Sequence, residues 1–106
     1  MSRRTASDNP AYRVIKRRMK AVLETLQWHA AEGRVPPAED IRDFCADARA
    51  MAAFPGVQGA GAEPFLEAVG RMEAACARGD ASALAQALGL AREARDVCHA
   101  RRVRQP

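Results

Sequence analysis

Asn9-Pro10-Ala11-Tyr12-Arg13-Val14-Ile15-Lys16-Arg17-Arg18-Met19-Lys20-Ala21-Val22-Leu23-Glu24-Thr25-Leu26, continuing through Trp28 and His29 to Gly33, decides the fold class. Tyr12, Ile15, Met19, Val22 and Leu26 recur at three- and four-residue steps, the spacing of one helical face. Asn9-Pro10 opens the segment with proline at the tolerated first helical position, and Gly33 closes it. A helix of this size is roughly 35 Å long at 1.5 Å rise per residue.

The rest of the chain repeats the pattern. Pro36-Pro37 restarts it, and Ile41, Phe44, Cys45, Ala48, Met51 and Ala52 share a face up to Pro55-Gly56. Pro64 begins a third stripe of Phe65, Val69, Met72 and Cys76, with Gly79 as its natural stop. Asp80 is the candidate N-cap of a fourth helix, which carries Leu84, Ala87, Leu88, Ala91, Ala94 and Cys98 on one side. No window alternates as a strand does. The expected architecture is all-α, an antiparallel up-down-up-down four-helix bundle with helices about 9–32, 37–54, 63–78 and 80–103. Residues 1–8 are polar and read as a disordered lead-in to a single domain over 9–104.

Composition supports that class. Hydrophobic residues make up 48% and aromatics only 5%, an alanine-rich mixture suited to closely packed helices. The formal net charge is +4, which permits acidic partners without demanding them. No run approaches the ~20 apolar residues of a membrane span. The start, Met1 to Asn9, has basic residues but no apolar stretch, so it does not read as a secretory signal. Taken as the natural start it points to the cytoplasm; a leader removed ahead of it would point to the periplasm.

Three cysteines at wide spacing define neither a disulfide framework nor a zinc knuckle. Cys45 and Cys76 read as small buried hydrophobes, and Met19 and Met72 as core. Cys98-His99 is different. It is the second half of the c-type haem attachment motif Cys-x-x-Cys-His, with Arg95 where the first cysteine would stand. In an up-down-up-down bundle the start of the first helix meets the end of the fourth. Arg13, Lys16, Arg17, Arg18 and Lys20 would then lie beside Arg92, Arg95, Arg101, Arg102 and Arg104. Such an end suits anionic groups; it is also what a solvated helix face with a favourable C-terminal dipole looks like.

The stretch from Tyr12-Arg13 to Gly33, followed by Val35-Pro36, resembles the opening helix of the cytochrome c-prime family. Gly79-Asp80 through Leu88-Gly89 to Cys98-His99-Ala100-Arg101-Arg102 resembles that family's last helix, and Arg95-x-x-Cys98-His99 the related soluble b-type four-helix cytochromes. Together the two stretches cover about half of the chain. The resemblance implies haem, with His99 as the axial ligand to iron. Attachment would be through a single thioether from Cys98, or the haem would be non-covalent as in the b-type relatives. Arg13 would pair with a propionate. Arg95 would lie at the macrocycle edge, reaching solvent or a propionate. Arg17 stands nearest the distal position, where the family places an apolar residue or methionine, and it matches neither.

The function that follows is that of a small haem-binding cytochrome, in electron transfer with a redox partner or in binding a diatomic gas. A homodimer like that of the family is a candidate assembly. The alternative is a haem-free bundle of this kind acting as an interaction or regulatory module. Nucleic-acid binding is disfavoured, since no recognised DNA-binding motif occurs. No paired carboxylates, Ser-His-Asp set or glycine-rich phosphate loop marks the chain as an enzyme.

Overall fold

The computed structural model describes residues 9–54 and 62–104, with side chains through Val97. Four helices form: α1 (Pro10–Ala31), α2 (Ala38–Ala52), α3 (Ala62–Arg78) and α4 (Ala81–Arg104). The expected lead-in over 1–8 and the Pro55-Gly56 stop lie outside the described residues.

The helix ends are built by residues that the backbone requires there. Asn9 is extended, and its side-chain oxygen accepts the Ala11 N–H at 2.9 Å, while Pro10 has no N–H to leave stranded. Gly33 ends α1 at φ +71°, a conformation glycine adopts without steric cost. There Gly33 N–H donates to Ala30 and Arg34 N–H to His29, each at 3.0 Å, which satisfies two orphan carbonyls. Gly79 repeats the device at φ +65°, with its own N–H on Cys76 and that of Asp80 on Ala75. Asp80 then caps α4 by accepting the Ala83 N–H at 3.0 Å. A two-residue turn therefore folds α4 back along α3.

The core is one contiguous cluster. α1 contributes Tyr12, Met19, Leu23 and Leu26; α2 contributes Ile41, Phe44, Cys45, Ala48 and Met51. From α3 come Phe65, Ala68, Val69, Met72 and Ala75, and from α4 Leu84, Ala87, Leu88 and Ala91. Met19 and Met72 are core, as expected, and Cys45 is fully buried. Leu23 takes a deeper place than the expected Ile15 and Val22, which are half-buried. Cys76 and Ala94 also sit at the margin. Among the described residues no polar or charged residue is buried, so the interior carries little desolvation cost.

The direction of each helix follows from its contacts. Tyr12 meets Phe54 edge to face at 5.3 Å and Arg18 meets Asp47 at 2.6 Å, so α2 runs against α1. The Gly79-Asp80 turn sets α4 against α3. Between the two hairpins the numbering rises on both sides: Phe44 faces Phe65 at 6.5 Å, the Cys45 sulfur lies 3.9 Å from the Val69 carbonyl, and Arg49 pairs with Glu73. α2 and α3 thus run in the same direction, and α1 packs on α4 to close the ring.

The all-α four-helix bundle is as expected, with two antiparallel hairpins. Its order is up-down-down-up, which corrects the strict alternation expected across the middle of the chain. Packing of Phe44 and Cys45 on Phe65 and Val69 selects this order, and chain reach permits it. Nine residues, 53–61, join α2 to α3. At about 3.3 Å each they can span roughly 30 Å, more than the ~22 Å length of α2.

Phe44 is 1% exposed. Phe44→Ala is expected to lower unfolding free energy by about 3–5 kcal/mol in urea titrations. Asp80→Ala removes a cap alone and should cost about 1 kcal/mol. Equal losses would refute this division between core and cap.

Candidate functional site

The residues expected to form one site are split by this topology. Arg13 and Arg17 are exposed on the first turns of α1. Tyr12 lies against Phe54, so this part of α1 is level with the end of α2. Arg95 is half-buried on α4, its guanidinium 3.4 Å from Asp96. Leu90 to Val97 runs opposite Pro64 to Arg71, the first half of α3. Phe44–Phe65 places that half of α3 beside the first half of α2. Arg95 therefore stands towards the opposite end of the bundle from Arg13, while Arg17, next to the Arg18–Asp47 contact, is nearer its middle. Cys98 and His99 follow it on α4, and their side chains lie outside the described ones. The gathering of both arginine sets at one end, expected from simple alternation, does not occur.

The end approached by the last turns of α4 is instead that of the α1–α2 turn. Trp28 is exposed there, with the Arg34 guanidinium 4.9 Å from its ring centre, and Arg34 also pairs with Glu32. His29 packs edge to face on Trp28 at 5.1 Å. Its buried Nδ1 has no hydrogen-bond partner among the described residues.

The titratable groups at the α2–α3 seam are structural. Burial pushes the Cys45 thiol up to about 12, with a smaller contribution from the Glu73 charge. The Arg49 guanidinium, hydrogen-bonded to Glu73, holds that carboxyl below its ordinary value. A buried thiol that keeps its proton is a poor nucleophile at neutral pH.

A different feature is open to solvent. An apolar groove of about 420 Å³ runs between α3 and α4. Pro64 and Ala68 form its α3 wall, and Leu90, Ala94 and Val97 its α4 wall. Glu67, Arg71 and Glu93 edge it, with Arg71 bonded to Glu67 at 3.0 Å. Leu90 and Val97 are 42% and 50% exposed along it. They are seven residues apart, two helical turns, and so project on the same side. The stripe read from Leu84 to Cys98 omitted both. The available signal was that α4 carries apolar residues on two faces.

No family model, curated protein or solved structure matches the chain. No helix among the described residues is long and apolar enough to cross a membrane. Nor do they contain a group of three or more histidine, cysteine or acidic side chains able to hold a metal ion.

Two measurements check this geometry. With Cys45→Ala, Cys76→Ala and Cys98→Ala as background, spin labels at Arg13→Cys and Arg95→Cys should lie about 20 Å apart by double electron–electron resonance. That follows from about ten residues of axial offset and a ~10 Å helix separation. A spacing near 10 Å would restore the shared end. In the native protein, mass-resolved alkylation should modify half-buried Cys76 well before Cys45. Because the folded state keeps the Cys45 proton, the thiol's contribution to stability is full below about pH 9.0 and is lost as pH rises towards 12. Early labelling of Cys45 would contradict its burial.

Proposed function

We propose that this chain is a helical interaction module that works without a prosthetic group, the second of the two functions its sequence raised. The observation that carries the reading is the solvent-open apolar groove between α3 and α4, with Leu90 and Val97 exposed along it. Isolated exposed apolar residues are ordinary on protein surfaces, but a contiguous apolar channel rimmed by charge marks a contact site.

The haem reading asks for one pocket with His99 on iron, Cys98 beside it and Arg13, Arg17 and Arg95 around the propionates and distal face. The residues present do not fit that pocket as a set. Arg13 stands level with the end of α2, away from the α4 segment that leads to Cys98-His99, and Arg17 follows one turn on, beside the Arg18–Asp47 pair. The core between the helices is filled by Phe44, Leu26, Met72, Leu84 and Val69, all at most 1% exposed. A porphyrin there would have to displace close-packed side chains, each worth about 1.5–3 kcal/mol of burial.

Hemin titration of the purified, reduced protein tests the choice. The expected result is no saturable Soret band, and the same weak spectrum from His99→Ala. A stoichiometric band lost in His99→Ala would overturn the proposal and restore the cytochrome reading. Its persistence or loss on acid-acetone extraction would then separate a Cys98 thioether from non-covalent haem.

A further inference from the structure

The composition of the groove specifies what it would hold, if the reading of the chain as an interaction module is right. Its floor is low in side-chain bulk where Ala68 of α3 and Ala94 of α4 line it, and Ala94 lies between Leu90 and Val97 in sequence. At one end Leu90 and at the other Val97 stand proud. Seven residues on a helix rise about 10.5 Å, so the two mark a channel two turns long with a shallow middle. Small residues at the centre of a helical contact let a third helix approach to about 8 Å. An extended strand has no edge to pair with here, because α3 and α4 satisfy their own backbone groups. The shape favours an α-helix lying along the seam.

Charge then selects among helices. Two carboxylates, Glu67 and Glu93, border the channel at its middle, against one cation, Arg71, which bonds to Glu67. Glu93 makes no ion pair among the described residues. The channel is thus net acidic on a chain whose formal charge is +4. A two-fold pairing of this groove with that of a second copy would crowd Glu67 and Glu93 of both copies at the centre, where like charges repel.

We infer that the α3–α4 groove binds an amphipathic helix of another protein that presents medium apolar residues at seven-residue spacing, flanked by lysine or arginine. Its apolar side chains fill the space between Leu90 and Val97 over the alanines. Its cations meet Glu93 and Glu67. This is helix-in-groove recognition, with anchors read along one face of the ligand.

The probes are two fluorescein-labelled 18-residue helical peptides with the same leucine stripe, one with lysine flanks and one with glutamate flanks. Each is titrated into the full chain and followed by anisotropy, with sedimentation of the unliganded chain as a companion measurement. The lysine peptide should bind at least tenfold tighter than the glutamate peptide, and the gap should narrow as salt rises. Leu90→Asp should weaken binding of the lysine peptide at least tenfold with an unchanged helical circular dichroism signal. Glu93→Lys should reverse the preference while leaving the apolar floor intact. Tighter binding of the glutamate peptide, sensitive to Leu90→Asp, would overturn the charge assignment but leave an interaction groove standing. Binding of neither peptide would sink both the inference and the module reading. A native dimer that Leu90→Asp makes monomeric would show a second copy to be the occupant, and would overturn the inference too.

Discussion

The close approach of α2 to α3 at Cys45 sets the arrangement of everything else. The cysteine sulfur rests 3.9 Å from the Val69 carbonyl oxygen. Phe44 meets Phe65 on one side of that contact and Arg49 meets Glu73 on the other. Together they fix register and direction at once. The energy lies in the buried aromatic and aliphatic groups. The exposed Arg49–Glu73 pair adds little beyond orientation, as surface ion pairs usually do. Since α1 packs antiparallel on α2 and α4 on α3, fixing α2 against α3 also fixes where the ends of α1 and α4 lie.

That placement governs function through charge. Had the hairpins alternated, the basic first turns of α1 would share an end with the basic last turns of α4, making a concentrated site for anions. In the observed order Arg13 and Arg95 are offset along the bundle axis by about ten residues, roughly 15 Å. Arg18 is engaged with Asp47, which takes one of the α1 cations into a contact within its own hairpin. The local imbalance that remains is acidic, at the α3–α4 groove, and it lies beside exposed apolar surface. Apolar area supplies affinity and the bordering charges supply selectivity, the usual division in helix recognition.

What could be read from the sequence was local. Pro10 behind Asn9, the glycines at 33 and 79 and the cap at Asp80 act within a few residues of backbone, so their chemistry names the helix ends wherever the helix goes. The buried stripes of α2 and α3 were legible for a related reason: their apolar residues have only one helical face to occupy. α4 was harder. Its apolar residues cover two faces, and periodicity does not say which one the bundle buries; packing against α3 hides Leu84 and Leu88 and leaves Leu90 and Val97 outside. The candidate site was legible as residues but not as a place, because Arg13 and Arg95 could share a pocket only through a topology that side-chain spacing does not encode.

By itself the sequence determined four helices, their ends and most of the core faces of the first three, since these depend on hydrogen bonds and periodicity within single segments. The tertiary structure alone decided their directions. The nine residues between α2 and α3 are long enough to permit a parallel or an antiparallel neighbour. The choice rests on how Phe44, Cys45, Phe65 and Val69 pack together, a contact among residues more than twenty positions apart.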